Sequence, residues 1–144
     1  MKVLVSACLL GEDCKYSGGN NRDERVLAFL RDHEAVPVCP EVLGGLPVPR
    51  PPAEIVDGVV TARDGRVVDA EFRRGAALAL ERAREEGAGL AILQPRSPSC
   101  GVKEVYDGTF SGRKVPGAGV FARLLAENGF RLLEPEDLES LGGL

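Results

Sequence analysis

Two periodic patterns of apolar residues recur along this chain, one with the period of a strand and one with the period of a helix. The segments 2–7 (KVLVSA) and 90–93 (LAIL) are apolar at nearly every position. Strands of this kind are buried on both faces, which is typical of a parallel sheet between two layers of helices. We therefore predict buried strands in both segments. Shorter apolar runs predict two further strands, at 35–38 and 130–133.

The segments between these strands carry apolar residues at helical spacing. This pattern predicts a helix over about 23–34 and a longer one over 69–86, which Asp69 can cap and Gly87 can end. Another predicted helix begins near Val120 and ends at Asn128-Gly129. A short terminal helix is predicted from Glu136 onwards.

Strands that alternate with helices at this spacing predict the α/β class. We expect one three-layer domain over residues 1–144, with an open, mostly parallel sheet flanked by helices on both faces. The dipeptide Asp64-Gly65 lies between apolar residues at 59–61 and 66–68, which predicts a small β-hairpin excursion from the main sheet. The 144 residues are 44% hydrophobic, which is enough to bury one core without disulfides.

The charge of the chain argues against some classes of partner. A net charge of -4 gives no broad attraction for nucleic acid or for an anionic membrane, although Arg22, Arg50 or Arg96 can still bind a phosphate locally. The apolar run at the N-terminus is too short for a secretory leader, and no segment approaches the roughly 18 apolar residues of a membrane-spanning helix. We expect a cytoplasmic protein with no membrane partner and no strong nucleic-acid signal.

Three of the four cysteines lie where predicted strands end: Cys8 in VSACLLG, Cys39 in VPVCPE and Cys100 in SPSCG. Because the ends of parallel strands share one edge of a sheet, we expect these thiols to converge. In a reducing cytosol such cysteines are more often free, catalytic or metal-bound than disulfide-bonded. Three thiolates leave a metal or cluster with one open position, whereas four would close a tetrahedral zinc site.

A simpler interpretation of the cysteines stays open at this point. Free cysteine is among the most buried residue types, and Cys8 alone fits a core position. Cys39 before Pro40 and Cys100 before Gly101 lie at turns instead, which favours reactivity. The absence of a CxxC pair argues against a zinc ribbon. His33, at the end of a charged segment, assembles no catalytic triad.

Several motifs together carry a resemblance to a known family. The segments VSACLLGEDCKYSGG, PVCPEVLGGLPVPRPPAE, SPSCG, YDGTFSG and GAGVFARLL occur in this order and cover nearly the whole chain. In these motifs the chain resembles the thiouracil desulfidases, a family of small domains. The resemblance implies a [4Fe-4S] cluster held by Cys8, Cys39 and Cys100, whose fourth iron is free to take the sulfur of a thiolated base without net redox change.

The resemblance also implies partners and site residues. The substrate would be a small thiolated base or nucleoside resembling 2-thiouracil, and cluster-assembly machinery would be a protein partner. Glu41 would act as the acid and base, with Ser97 and Ser99 orienting substrate or water; a solvated carboxylate and serines that cap the turn are the alternatives. The residues expected to bind substrate, each with a loop-bracing alternative, are Arg50, Tyr16 and Asn20, of which Arg50 is the best polar contact.

Four further positions in or near these motifs have open roles. Cys14 is not among the implied ligands and is either a bystander thiol or a sulfur acceptor. Gln94 replaces a lysine that is usual in the family pattern, which bears on anion or substrate recognition. Tyr106 and Phe110 belong to a predicted loop over the site, where either ring can stack on a flat base or pack in the core.

Three functions from different classes follow from these residues. The preferred hypothesis is an iron-sulfur-dependent, non-redox desulfidase that yields the oxo product and sulfide. The second is a non-enzymatic carrier of a cluster, zinc or sulfur that uses the same cysteines. The third is a structural domain in which the cysteines are only buried.

Overall fold

The computed structural model describes residues 2–140 of the chain. Its strands are β1 (Lys2–Ser6), β2 (Glu34–Val38), β3 (Ala53–Val56), β4 (Val59–Ala62), β5 (Leu90–Ile92), β6 (Glu104–Tyr106), β7 (Lys114–Pro116) and β8 (Arg131–Leu133). Its α-helices are α1 (Glu24–Phe29), α2 (Pro40–Leu43), α3 (Asp69–Glu86), α4 (Val120–Glu127) and α5 (Asp137–Ser140). Two 3-10 helices span Ala7–Leu10 and Leu30–Asp32. Among the described residues, no helix is both long and apolar enough to cross a membrane.

The centre of the fold is a parallel sheet with the strand order β2-β1-β5-β8. Val5 of β1 lies opposite Pro37 of β2 on one side and opposite Ile92 of β5 on the other. The chain leaves β1 towards β2 and later returns to the opposite side of β1 as β5. Such a reversal opens a crevice at the carboxyl ends of the strands, where α/β sheets bind ligands.

Apolar cores cover both faces of this sheet. On one face α3 and α4 pack over it, and this core includes Leu4, Leu93 and Phe121. On the other face α1 and α5 pack over it, and this core includes Val5 and Val26. The predicted α/β class and the open, mostly parallel sheet flanked by helices are therefore confirmed.

Two predicted elements differ from the structure. The predicted helix over 23–34 ends at Phe29, because a 3-10 turn over Leu30–Asp32 leads into β2, which already begins at Glu34. The main hairpin joins β3 to β4 through Asp57-Gly58, both with positive φ, as a type I′ turn requires. The predicted partner strand at 66–68 is reduced to a single bridge between Thr61 and Val67.

Other elements carried no periodic signal. Helix α2 has only four residues, and the strands of the β6-β7 hairpin have three residues each. Segments this short hold too few positions to display either apolar period.

The short helix α2 is fixed to α3 by a contact between two glycines. A side chain at Gly75 would overlap the carbonyl oxygen of Pro40, and one at Gly44 would overlap the carbonyl oxygen of Glu71. Arg74 adds a hydrogen bond to the Gly44 carbonyl oxygen. Because only glycine lets two backbones approach so closely, this contact determines where the segment from Cys39 to Leu43 lies.

We expect Gly75→Ala to destabilise the protein by about 1–3 kcal/mol, although alanine is the better helix former by about 1 kcal/mol. The added methyl group would push Pro40 away from α3 and displace the adjacent Cys39. Urea unfolding measures the loss of stability, and metal content measures the effect of displacing Cys39. The matched control is Ala77→Gly on the exposed face of α3, which should cost about 1 kcal/mol through helix propensity alone. Equal stability of Gly75→Ala and wild type would contradict the close contact.

Asp23 caps the first turn of α1. Its Oδ1 accepts hydrogen bonds from the backbone N–H groups of Arg25 (2.9 Å) and Val26 (3.4 Å). A side-chain hydrogen bond from Arg25 is the main cause that lowers the pKa of Asp23 below 3.8. Folding therefore favours the ionised form. The stabilisation is present above pH 3.8 and is lost as the pH falls through the lowered pKa.

We expect Asp23→Ala to lower the free energy of unfolding by about 1 kcal/mol at pH 7, since the cap is lost. The difference from wild type should shrink as the pH falls below 3.8. Denaturant unfolding at neutral and acidic pH measures this difference. Asp23→Asn is the matched control, because asparagine caps nearly as well but does not titrate in this range. A difference between wild type and Asp23→Ala that is independent of pH would contradict the charged cap.

Candidate active site

The carboxyl ends of β1, β2 and β5 border a cavity of about 490 Å³. This is the crevice that the strand order opens, and we call it the main cavity. It contains all four cysteines, one acidic side chain from α2, and polar and aromatic residues from the loops. The lining includes Ser6, Cys8, Cys14, Tyr16, Asn21, Cys39, Glu41, Arg50, Glu54, Arg63, Gln94, Arg96, Ser97, Cys100, Tyr106 and Phe110.

Each of the three strand-end thiols reaches the main cavity from a different strand. Cys8 lies in the 3-10 turn after β1, Cys39 directly follows β2, and Cys100 lies in the turn after β5. Cys8 is 9% exposed and Cys100 is 5% exposed, so neither is a surface thiol. All four cysteines are free. The structure thus brings together the three thiols that the sequence placed at strand ends.

The spacing of these thiols decides whether they can bind a single metal ion or a cluster. Among residues 2–140, no three His, Cys, Asp or Glu side chains are close enough together to hold a single metal ion. The three thiols still lie near enough to influence one another's ionisation. They surround a shared space, as ligands to separate iron atoms of a cluster do. The soft sulfur donors and the room between them fit an iron-sulfur cluster.

The Cys39 thiol is the most readily ionised of the set. A hydrogen bond from the Cys14 thiol is the main cause that lowers the pKa of Cys39, to about 7. The backbone N–H of Val42 and the charge of Arg50 act in the same direction. Burial and the neighbouring Glu41 oppose them. Cys39 therefore loses its proton more readily than an ordinary cysteine, and the thiolate is the form that binds metal.

Burial has the opposite effect on the other two thiols. It raises the pKa of Cys100, and a hydrogen bond with Ser6 offsets only part of that shift. It also raises the pKa of Cys8, whose sulfur accepts a hydrogen bond from Asn21 Nδ2 at 3.5 Å. Both thiols hold their protons at neutral pH without a metal, so metal binding must release protons from them.

Cys14 lies beside the other three without following a strand. Its thiol donates to Cys39, and this bond is the main cause that raises the pKa of Cys14. Its carbonyl oxygen accepts from Arg50 Nη2 at 2.9 Å and from the Cys39 thiol at 3.8 Å. Cys14 therefore contacts Cys39 through both its thiol and its backbone carbonyl group.

Glu41 is the acidic residue of the main cavity that lies next to the thiols, and Glu54 also lines the cavity. Glu41 lies in the first turn of α2, two residues after Cys39, and its Oε1 accepts a hydrogen bond from Arg50 Nε at 3.3 Å. The Glu41 side chain is 20% exposed, and that of Arg50 is 3% exposed. Burial is the main cause that raises the pKa of Glu41, against the charge of Arg50. A carboxyl group here can hold or release a proton beside the thiols.

Arg50 lines the main cavity and makes several contacts within the protein. Its guanidinium donates to Glu41, to the carbonyl oxygen of Pro47 (3.1 Å) and to that of Cys14 (2.9 Å). Its backbone N–H also donates to the carbonyl oxygen of Tyr16 (2.7 Å). These contacts use three of the five side-chain N–H groups, so Arg50 positions Glu41 and the Cys14 segment and keeps two N–H groups for a bound molecule.

The two serines of SPSCG lie in different surroundings. Ser97 lines the main cavity, and its Oγ accepts from the backbone N–H groups of Ser99 and Cys100, both at 3.0 Å. Its hydroxyl proton is left to donate into the cavity. Ser99 is fully buried behind the turn, and its Oγ has no hydrogen-bond partner within the described part of the chain. Only Ser97 is therefore placed to contact a bound molecule.

The sequence predicts Asn20 as a substrate-binding residue, but its neighbour Asn21 is the asparagine that lines the main cavity. Asn20 is exposed, donates to Asp13 and is not brought to the main cavity. Asn21 lines the main cavity, and its side chain contacts the Cys8 sulfur. Nothing in the glycine-rich segment distinguished them, because loop geometry decides which side chain faces inward. Tyr16 does line the main cavity, although 48% of its surface is exposed.

Gln94 and Ser6 join β5 to β1 beside the thiols. The backbone N–H of Gln94 donates to Ser6 Oγ at 3.0 Å, and both residues line the main cavity. Ser6, which lies at the end of an apolar run, was not predicted to be a site residue. Arg63 was missed as well, and it reaches the rim from the turn after β4.

A second cavity of about 160 Å³ lies beside the first. The two cavities share Glu41, Arg50 and Ala53 as lining residues. A space of this volume has room for on the order of five water molecules. The Glu41 carboxyl group is therefore bordered by two spaces that water can enter.

Comparisons with known proteins agree with this geometry. The family model described as 2-thiouracil desulfurase matches residues 3–137. The uncharacterized protein YbbK of Bacillus subtilis (strain 168) is 40% identical over 150 residues, which span 96% of this chain and 99% of that protein. The solved structure of the [4Fe-4S]-dependent thiouracil desulfidase TudS superimposes with a TM-score of 0.91 at 40% identity, covering 98% of this chain and 95% of that one.

Proposed function

Because this chain belongs to the 2-thiouracil desulfurase family, we propose that it is a [4Fe-4S]-dependent desulfidase that removes sulfur from a thiolated nucleobase or nucleoside. The observation that carries the proposal is the convergence of three strand-end thiols on one cavity beside the partly buried Glu41 side chain. The similar solved structure is that of a [4Fe-4S]-dependent thiouracil desulfidase, which supports the same chemistry.

Cys8, Cys39 and Cys100 would hold the cluster. When bound, a cluster with three thiolate ligands supplies a Lewis-acidic iron whose remaining position accepts the sulfur of a thiocarbonyl group. Cys39 is prepared for this role because Cys14 and the Val42 N–H favour its thiolate. The side-chain N–H of Asn21 donates a hydrogen bond to the Cys8 sulfur, which likewise favours the thiolate.

The reaction is a hydrolytic exchange of sulfur for oxygen. The thiocarbonyl compound and one water give the carbonyl compound and hydrogen sulfide, so the C=S bond breaks, a C=O bond forms and no electrons are gained or lost. Glu41 takes a proton from the attacking water and returns one to the departing group. The second cavity, which Glu41 also lines, has room for the water that this step needs.

Other residues hold the reacting groups in place. Arg50 fixes the orientation of Glu41 through Nε, and two further donors hold the backbone at Pro47 and Cys14. Ser97 directs its free hydroxyl proton towards a carbonyl or water oxygen in the main cavity. Held geometry of this kind lowers the barrier because the groups need no reorganisation when the bonds change.

The test is anaerobic purification or reconstitution, followed by iron, sulfide and turnover assays. We expect a brown protein with about four irons per chain that releases hydrogen sulfide from 2-thiouracil or a thiolated nucleoside. A protein that cannot be loaded with iron would overturn the proposal. A loaded protein that turns over no thiolated base or nucleoside would instead support a carrier that uses the same cysteines.

A further inference from the structure

Two residues of the main cavity adopt a backbone conformation that side chains other than glycine rarely tolerate. Phe110 has φ 57° and Arg96 has φ 64°. The remaining such residue in the described chain is Asp57, with φ 50°, and the Asp57-Gly58 turn between β3 and β4 accounts for it. Left-handed geometry at a bulky residue persists only where surrounding contacts enforce it, and it recurs at ligand sites.

The contacts that enforce this geometry at Phe110 come from Glu54. The Glu54 Oε1 atom accepts hydrogen bonds from the backbone N–H of Gly108 at 2.9 Å and from that of Phe110 at 3.1 Å. Gly108 itself passes so close to β3 that a Cβ atom there would lie 2.7 Å from the carbonyl oxygen of Ile55. One carboxylate on β3 thus holds the loop between β6 and β7 in a single shape.

Packing in the protein core does not explain the position of Phe110. Within the described residues, neither of the two apolar cores includes it, whereas Phe72 and Phe121 are fully buried. Phe110 is half-buried and lines the main cavity together with Cys8, Cys39 and Glu41. The disfavoured backbone therefore places an aromatic side chain at the ligand space instead of in the protein core.

We propose that Phe110 is the surface against which the planar ring of the substrate stacks, and that Glu54 is the residue that positions it. The inference rests on the proposed function, since a thiolated pyrimidine is the flat ring concerned. Stacking on an aromatic side chain tolerates any ring with a π face. Stacking on Phe110 would therefore favour planar heteroaromatic thiocarbonyl compounds over saturated rings of the same size.

A tryptophan at position 110 gives a direct measure of stacking, because the chain contains no tryptophan. In the Phe110→Trp variant, loaded with cluster anaerobically, we expect titration with uracil to quench the new fluorescence to saturation. The probe is not a substrate, so the readout does not depend on turnover. The matched control is Phe130→Trp, at a position between α4 and β8 away from the main cavity, where uracil should change nothing. Quenching that is absent at position 110, or equal at the two positions, would overturn the proposal.

A substitution series separates stacking from a structural role. Phe110→Leu keeps the size but loses the flat face, so KM for 2-thiouracil should rise at least tenfold with little change in kcat. Phe110→Asn should do the same while the variant unfolds at an equal or higher denaturant concentration than wild type, because asparagine tolerates positive φ. A structural Phe110 would instead make both variants less stable and lower their iron content.

The role of Glu54 is tested by a conservative pair. Glu54→Ala removes the acceptor of both N–H groups and should raise KM as Phe110→Leu does, whereas Glu54→Gln keeps an acceptor oxygen and should restore most of the wild-type KM.

For 5,6-dihydro-2-thiouracil, whose ring is not aromatic, wild type and Phe110→Leu should have similar KM values. If wild type desulfurises 2-thiouracil but Phe110→Leu leaves its KM unchanged, the stacking proposal fails and the proposed function stands. If wild type desulfurises nothing while uracil quenches the tryptophan, the proposed function fails and the ring site stands.

Discussion

Replacing Cys100 by alanine should abolish both iron binding and sulfide release. Cys100 supplies one of three thiols from three different strand ends, and within the described chain only Cys14 offers another thiol at the main cavity. We expect the iron content to fall from about four per chain to below one after identical anaerobic reconstitution. The fold should survive, because trading a small buried thiol for a methyl group costs about 1 kcal/mol. Iron analysis, circular dichroism and sulfide release measure the three quantities.

The matched variant for this experiment is Cys14→Ser. It changes a thiol in the same cavity that we do not count as a ligand, so its iron content should remain near that of wild type. Loss of iron from Cys14→Ser together with retention in Cys100→Ala would contradict the ligand assignment. A Cys100→Ala protein that is unfolded would be replaced by Cys8→Ala, which the same assignment predicts to be equally free of iron.

Replacing Glu41 by glutamine should remove turnover while the cluster stays. The amide oxygen can still accept the hydrogen bond from Arg50, so the positions of α2 and Cys39 should be preserved. It can neither take nor return a proton, and we expect kcat for 2-thiouracil to fall by about 100-fold to 10,000-fold. Iron content and the visible absorption of the cluster should match those of wild type.

The control for Glu41→Gln is Glu12→Gln. Glu12 is an exposed carboxylate in the loop after β1 and does not line the main cavity, so its loss should leave kcat within twofold of wild type. If Glu41→Gln retains full activity with an intact cluster, another group carries the proton and the assignment is wrong. If it loses iron, the role of Glu41 is to keep the cluster site in shape.

The thiol arrangement could be predicted from the sequence because it depends mainly on topology. Cys8, Cys39 and Cys100 each follow an apolar strand, and parallel strands must end at one edge of the sheet. The order β2-β1-β5 then makes the three strands immediate neighbours. Knowing the strands was sufficient for Cys8 and Cys39, whereas Cys100 lies eight positions after Ile92 and also depends on the path of the turn after β5.

Residues in loops could not be predicted in the same way. Asn20 and Asn21 are adjacent and chemically identical, and only the path of the glycine-rich loop places Asn21 against Cys8. The sequence identifies Arg50 as a polar residue of the motif but does not show its partners, and in the structure three of its N–H groups contact the protein. The partner of Phe110 is Glu54, more than fifty residues away, and a contact between a strand side chain and an irregular loop has no periodic signature.

The scattering of the three thiols over residues 8, 39 and 100 also ties cofactor retention to the integrity of the whole sheet. No local segment of the unfolded chain holds more than two of the four cysteines close together, so a group that needs three thiols binds the folded chain only. Binding to the native state alone adds to its stability by mass action. Unfolding and release of the bound group should then form one transition, and loss of colour would report global unfolding rather than the opening of a loop.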